Sequence, residues 1–164
     1  MKVLITLVFL YTSLSLAASR VGEWAAYDYE ESTPTSSLKG ILIKEVLAVK
    51  RMKSASGKLE NHLQVSSKLL SSGAATKEVI KWEPETQYHN ALDLNLYVLK
   101  CRFIAKIGKI EKIKVKGGSF NACHVKDQDT WVGVVPFNFI LHIRNEPQLF
   151  QRYELINYSW KKKK

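Results

Sequence analysis

Residues 108–126 read GKIEKIKVKGGSFNACHVK, and this stretch decides the class of fold. Because side chains on a strand alternate between its two faces, Glu111, Ile113 and Val115 share one face and the intervening lysines share the other. The Gly-Gly pair at 117–118 signals a two-residue turn, since both residues tolerate positive φ angles. The residues after this turn alternate again, as a partner strand does. The stretch therefore predicts an antiparallel hairpin.

Short segments rich in β-branched and aromatic residues flank the hairpin on both sides, and turn signals separate them. Among these signals, 127–129 marks a turn and Pro136 stops a strand. The strands predicted outside the hairpin cover 22–29, 38–53 (one bent strand or two), 59–66, 76–82, 130–135, 138–144 and 149–160. Strands at this spacing are typical of a sandwich, a barrel or a strongly curved sheet.

The segment 85–99 fits two kinds of structure. Tyr88, Leu92 and Leu96 approximate helical spacing, whereas the apolar residues at the even positions from 92 to 98 alternate with period two. A short helix running into a strand accommodates both patterns, and we predict that arrangement.

The N-terminus has the features of a secretory signal peptide, which we assign to 1–18. Lys2 supplies a positive charge, and the apolar run at 3–11 is shorter than the roughly 20 residues that a membrane anchor needs. Ser15-Leu16-Ala17 places small residues before a cleavage site. We expect cleavage after this triplet, or one residue later, and export to the periplasm or the medium.

The chain has 164 residues, a formal net charge of +10 and 46% hydrophobic residues. This length is typical of one domain, which we place at 19–160 as a β-rich unit followed by a basic tail at 161–164. The aromatic and aliphatic content can fill a core, which argues against wholesale disorder. Two cysteines are too few for a disulfide-dense scaffold or a four-cysteine zinc module.

Residues 108–158 resemble a group of exported bacterial proteins. The matching residues, in chain order, are Gly117-Gly118-Ser119-Phe120, Cys123, Trp131, Val135-Pro136-Phe137 and Glu154-Leu155-Ile156. The chain departs from the group at Lys116-Gly117, where Pro-Ala is usual. The resemblance implies a lipoprotein-carrier (LolA/LolB-like) half-barrel, in which a helix crosses the concave side of a curved sheet, and it implies no catalytic residues. We therefore expect a mainly β (α+β) fold with a strongly curved antiparallel sheet or half-barrel and one or two short helices.

Cys101 and Cys123 are predicted to form a disulfide, because cysteines of exported proteins are more often paired than free. The bond would close a loop of about 23 residues and contribute roughly 3 kcal/mol through loop entropy. Two buried thiols are the alternative if the final compartment is reducing. A nucleophile–base pair of Cys123 and His124 is disfavoured, because adjacent strand residues point to opposite faces.

No motif identifies an active site, so we predict no catalytic, cofactor-binding or metal-binding residues. The four histidines lack the i, i+4 spacing of zinc proteases, and the sequence holds neither a phosphate-binding glycine loop nor Gly-x-Ser-x-Gly. His124 and His142 could meet across strands, but two ligands do not make a metal site. An envelope hydrolase that uses these two histidines and Asp129 is one hypothesis for the function, ranked below the two non-catalytic hypotheses given below.

Basic residues are the strongest compositional signal. We assign contact with an anionic surface, either a membrane or a cell-wall polymer, to Lys112, Lys114, Lys116, Lys161, Lys162, Lys163 and Lys164. Protection of a sheet edge is the alternative role of the hairpin lysines. Nucleic acid is not an expected partner, because the protein is exported and its sequence places no stacking platform of aromatic and basic residues.

The half-barrel resemblance implies a concave apolar face, and together with the basic exterior it leads us to expect a non-catalytic exported binding protein that holds a lipid or other amphiphile on that face. No cofactor is expected, and the sequence does not identify a protein partner. The alternative is a structural or interaction module of the cell envelope, with a filled core and no ligand cavity.

Overall fold

A computed structural model describes residues 20–54, 56–71, 76–104 and 106–160. The strands are β1 (Trp24–Thr33), β2 (Ser36–Lys53), β3 (Leu59–Ser71), β4 (Lys77–Pro84), β5 (Gly108–Val115), β6 (Gly118–Val125), β7 (Thr130–Val132), β8 (Phe139–Glu146) and β9 (Leu149–Ser159). The helix α1 spans Ala91–Phe103, after a 3-10 turn at Glu85–Gln87. The predicted signal peptide at 1–18 and the basic tail at 161–164 lie outside the described residues.

The nine strands of the described residues form one antiparallel sheet in the order β4-β3-β2-β1-β9-β8-β7-β6-β5. β1 and β9 pair in its middle, so the first four strands and the last five form two halves of the sheet. β4 and β5 are the outermost strands, and the sheet is not closed. The predicted mainly β class with a short helix is confirmed.

The sheet is curved where its last five strands meet. In a flat sheet β5 would lie about 19 Å from β9, because adjacent strands are about 4.8 Å apart. Instead, the Gly117 N–H at the end of the hairpin donates to the Leu155 carbonyl oxygen of β9 at 2.8 Å. The neighbouring Lys116 N–H donates to a carboxylate oxygen of Glu154 at 3.0 Å. The tip of the β5–β6 hairpin therefore bends round onto β9.

The hairpin turn lies one residue earlier than predicted. Val115 pairs with Gly118, so Lys116 and Gly117 are the two turn residues. A side chain at position 117 would place its Cβ 2.9 Å from the carbonyl oxygen of Ile156, closer than real Cβ contacts. The glycine there permits the close approach of the turn to β9, a requirement beyond the positive φ angle for which it was predicted.

The helix predicted within 85–99 is present, but the strand predicted to follow it is wrong, because α1 begins at Ala91 and continues to Phe103. The Asn90 side chain caps the helix by accepting a hydrogen bond from the Asp93 N–H at 2.9 Å. Leu94 and Cys101, seven residues apart, are buried on one side of the helix. The alternation of leucines that suggested a strand is coincidental, since successive members of that series point to different sides of the helix.

Two strand predictions need smaller corrections. The predicted strand at 38–53 is a single strand, with a bulge between Val46 and Ala48 against β3. The predicted strand at 130–135 ends at Val132, because the chain turns back at 133–138. This return loop packs over the sheet: its Val135 and Phe137 belong to the buried core with Tyr27, Leu63 and Leu155 of β1, β3 and β9. The Tyr27 hydroxyl donates to the Pro136 carbonyl oxygen at 3.2 Å.

Candidate functional site

A cavity of about 220 Å³ lies beneath the return loop, between the centre of the sheet and the turn that precedes α1. Five aromatic side chains line it: Tyr27, Tyr88, Phe137, Phe139 and Tyr153. The other lining residues are basic or polar: Lys44, Gln87, Asn138, His142, Arg144 and Gln151. No carboxylate belongs to the lining, as far as the described residues go. The cavity is thus aromatic and basic rather than simply apolar.

Strand register brings these side chains together from distant parts of the chain. Directly paired residues share a face, and Tyr29 of β1 pairs with both Gly40 of β2 and Tyr153 of β9. Tyr27 lies two residues before Tyr29 on β1, so both side chains are on the same face of the sheet. Lys44 lies four residues after Gly40 on β2 and is on that face too. Lys44 was not among the predicted site residues. Its position between Leu42 and Val46 in the alternation of β2 was the available signal for an inward-facing lysine.

Lys44 is the central basic group of the cavity. Its Nζ lies 5.6 Å from the ring centroid of Tyr88 and 5.5 Å from that of Phe137, within the range of cation–π attraction. Burial lowers the pKa of Lys44, although the nearby Glu83 carboxylate counteracts this. Glu83 accepts a hydrogen bond from the Tyr88 hydroxyl instead of forming an ion pair with Lys44. A partly desolvated ammonium without an ion pair attracts an anion.

The return loop holds two residues in a backbone conformation that L residues avoid. Phe137 has a φ of 62° and Asn138 a φ of 73°. Such a conformation is unusual for a bulky residue and costs on the order of 1 kcal/mol. Among the described residues, Asn138 Oδ1 is also the one buried side-chain oxygen or nitrogen that lacks a hydrogen-bond partner. Strain and an unused acceptor at one cavity wall are both features of binding sites.

The other basic groups of the lining are already engaged. Arg144 donates to both carboxylate oxygens of Glu146, at 2.8 and 3.0 Å, so its charge is compensated locally. His142 Nδ1 lies 2.8 Å from the Thr130 hydroxyl. Burial, followed by the charge of Arg144, lowers the pKa of His142, so the neutral imidazole is favoured near neutral pH. Lys44, which forms no close ion pair among the described residues, therefore supplies the most available positive charge of the cavity.

His124 and His142 do not come together. His124 pairs with Trp131 and His142 with Thr130, and adjacent residues of β7 point to opposite faces. The His124 ring stacks on Trp131 at 4.1 Å, and its Nδ1 lies 3.2 Å from a carboxylate oxygen of Glu111.

Glu111 is held by neighbouring donors on the other face of the sheet. Hydrogen bonds from Lys109 and then from the Trp131 indole, at 3.0 Å, lower the pKa of Glu111 to about 2. This carboxylate is therefore ionised at neutral pH. The constellation of His124, His142 and Asp129 considered for a hydrolase is not assembled, since its two histidines lie on opposite faces.

The structure separates the lysines assigned to an anionic surface. Lys112 and Lys114 are exposed and point to the face of β5 on which α1 packs. Lys116 follows the end of β5 and forms an ion pair with Asp28 of β1. The terminal lysines at 161–164 lie outside the described residues.

The predicted disulfide between Cys101 and Cys123 is present, with the two Cα atoms 5.9 Å apart. It joins the last turn of α1 to β6 and is compatible with an oxidising, exported location. Along the described ranges, no helix is long and apolar enough to cross a membrane. Nor does this part of the chain bring three or more His, Cys, Asp or Glu side chains together as a metal site.

Comparison with protein-family models, with curated proteins and with solved structures gave no match for this chain. The function must therefore be argued from the geometry of the site.

Proposed function

We propose that the protein is a non-catalytic exported binding protein whose cavity holds a small anionic amphiphile. The anionic end would lie at Lys44 and the apolar body against the surrounding rings. One observation supports this most directly: the Lys44 ammonium, which lies over the adjoining rings of Tyr88 and Phe137, faces a cavity whose described lining holds no carboxylate.

The size of the cavity restricts the ligand. Sites for drug-sized molecules are usually about 300–1,000 Å³, whereas this cavity is about 220 Å³. A short amphiphile, such as an aryl-alkyl carboxylate, suits this volume better than a long acyl chain. The lipid considered from the sequence would therefore bind by one end only.

The polar lining restricts the headgroup. Arg144 is compensated by Glu146, so the one lysine charge of the lining, which forms no close ion pair among the described residues, suits a headgroup with one negative charge, such as a carboxylate. Asn138 Oδ1 needs a donor, which a hydroxyl or N–H group of the ligand would supply. Export itself rests on the predicted signal peptide at 1–18, and the disulfide agrees with it.

The test compares one anionic and one neutral ligand with the same apolar body. Isothermal titration calorimetry would use 4-phenylbutyrate and 4-phenylbutanol with the wild type, with Lys44→Met and with Lys50→Met. Methionine keeps most of the apolar length of lysine and removes the charge. Lys50 is an exposed lysine of the same strand and serves as the matched control.

We expect Lys44→Met to weaken binding of the carboxylate at least about tenfold, which corresponds to about 1.4 kcal/mol. Binding of the alcohol should not change, and Lys50→Met should behave as the wild type. Equal affinity of the carboxylate for the wild type and Lys44→Met would refute the proposal. Absence of binding of both ligands to the wild type, together with a clean apo mass in native mass spectrometry, would also refute it.

A second function, an interaction module of the cell envelope, is favoured by a different observation. The solvent-facing side of α1 carries exposed apolar side chains that the sheet does not cover. That surface is independent of the cavity.

A further inference from the structure

α1 is apolar on two opposite sides. Leu94 and Cys101 are buried towards the sheet. On the opposite side lie four apolar residues at spacings of four, three and four, which place them in one row along the helix. We call this row the outer stripe; its members, with their exposed fractions, are Leu92 (68%), Leu96 (47%), Leu99 (52%) and Phe103 (75%).

The outer stripe cannot turn inward. The disulfide from Cys101 to Cys123 fixes the buried side of α1 against β6. At the other end, the Asn90 side chain caps the first turn of the helix. Rotation of the helix would break the covalent link and expose Leu94, which is fully buried. Four exposed apolar side chains in one row on a helix that cannot rotate are typical of a surface that contacts a partner or a membrane.

Basic side chains lie beside the outer stripe. Leu99 and Asn121 line a common groove between α1 and the hairpin. Lys112 pairs directly with Asn121, so Lys112 and its strand neighbour Lys114 point to the same side of the sheet as α1. The last turn of the helix adds Lys100 and Arg102.

These four basic groups remain available to an external anion. None of them takes part in the ion pairs that the described residues form. The one acidic residue of α1 is Asp93, in its first turn. The chain as a whole carries a net charge of +10. The apolar row is thus accompanied by positive charge with little local compensation.

We propose that the outer stripe, with Lys112 and Lys114, is a docking surface for an anionic lipid bilayer. α1 would lie in the plane of the interface with its stripe among the lipid chains, while the lysines contact the headgroups. The combination of an apolar row with unpaired lysines complements a surface that is apolar below and anionic above. A protein partner or a second copy of the chain would have to supply both features in the same arrangement.

The test measures how much of the purified exported protein sediments with vesicles. The intact mass of the protein shows whether segment 1–17 has been removed. Vesicles of phosphatidylcholine and phosphatidylglycerol in equal parts are compared with vesicles of phosphatidylcholine alone, at about 0.1 M and about 1 M salt. One variant, Leu96→Ser with Phe103→Ser, removes half of the outer stripe. The other, Lys112→Gln with Lys114→Gln, removes two charges, and its matched control is Lys50→Gln with Lys53→Gln on β2.

We expect the wild type to bind the anionic vesicles, to bind neutral vesicles at least tenfold less and to lose most binding at high salt. Each docking-surface variant should bind the anionic vesicles at least about tenfold less than the wild type, whereas the β2 control should lose little. Circular dichroism will show that the exposed substitutions leave the fold intact.

Four outcomes would overturn the proposal, the last of which is self-association without vesicle binding. The first is equal binding to the two kinds of vesicle, and the second is wild-type binding by the stripe variant. The third is vesicle binding that depends on whether segment 1–17 is retained and is unaffected by the substitutions in the variants. Concentration-dependent self-association that the stripe variant abolishes, without vesicle binding, would assign the stripe to a second copy. Because the cavity plays no part in this assay, its result is separate from that of the ligand titration.

Discussion

The two basic regions of the molecule differ in what surrounds their ammonium groups. Lys44 is half-buried against the adjoining rings of Tyr88 and Phe137, and burial lowers its pKa. Lys112 and Lys114 are exposed on the hairpin beside an apolar helix row. Desolvation makes the single charge in the cavity specific for a ligand of defined shape, whereas exposure makes the hairpin charges additive and sensitive to salt. The same side chain therefore serves recognition in one place and surface attraction in the other.

The largest expected effect on stability is the difference between substitutions on the two sides of α1. Leu94→Ala removes a fully buried side chain and should lower the free energy of unfolding by about 2–5 kcal/mol. Leu96→Ala, on the outer stripe, should change it by no more than about 0.5 kcal/mol. Urea denaturation followed by tryptophan fluorescence measures both. Similar losses of unfolding free energy in the two variants would contradict this prediction, because they would show that the outer stripe is covered in solution.

The disulfide should contribute slightly less. Cys101 and Cys123 are 22 residues apart, and replacing both with serine should lower the free energy of unfolding by about 3 kcal/mol. The loss should be greatest at the helix–hairpin end, so hydrogen exchange should accelerate in α1 before it does in β1 and β2. Wild-type protein treated with a reductant provides the control. Uniform acceleration of hydrogen exchange would contradict this prediction, because it would mean that α1 and the strands β1 and β2 depend on the disulfide equally.

Lys44 should reduce the stability of the unliganded protein. Because its ammonium is partly desolvated without an ion pair among the described residues, Lys44→Met should raise the free energy of unfolding by about 1 kcal/mol. Lys112→Met, at an exposed position, should change it by less than about 0.5 kcal/mol. Thermal denaturation of both variants measures the difference. Destabilisation by Lys44→Met would indicate that Glu83 already compensates the charge.

The smallest expected effect is the pH dependence of stability that His142, in the cavity wall, contributes. The pKa of His142 is lowered in the folded state, so the unfolded chain binds its proton first. Stability should therefore be greatest above the ordinary histidine pKa of about 6.5 and fall as the pH drops below it. The His142→Gln variant should show a flatter profile in denaturant titrations between about pH 5 and 8. His124→Gln, on the other face of the sheet, controls for the loss of an imidazole, and identical profiles for wild type and His142→Gln would contradict the prediction.

Local signals in the sequence predicted the hairpin region well. Alternation in β5 and the neighbouring glycines predicted a hairpin, which is confirmed, and Cys101 and Cys123 pair as expected. The turn was misplaced by one residue because the close approach to β9 is a tertiary requirement. The strand predicted to follow the helix was wrong for a similar reason, since the leucines of α1 satisfy both periods and only packing decides between them.

The cavity could not be predicted in the same way. Its walls come from β1, β2, β8, β9 and two connecting segments, and no short motif links them. The return loop is the clearest case: Pro136 predicted a strand that ends after residue 135, but nothing local shows that β7 ends at Val132 or that Phe137 and Asn138 take positive φ angles over the sheet. Lys44 within an apolar alternation was the single local sign. The outer stripe, in contrast, is visible as the spacing 92, 96, 99 and 103 once the helix is known.

The open ends of the sheet determine how the protein behaves at high concentration. β4 and β5 each have a row of backbone groups that no neighbouring strand of the described sheet satisfies. Stacking of two molecules through these edges would bring Lys112 and Lys114, or Lys77 and Lys81, close to like charges. Such repulsion opposes fibre-like growth. Because salt screens it, concentrated solutions should remain clear at low ionic strength and become turbid as salt is added.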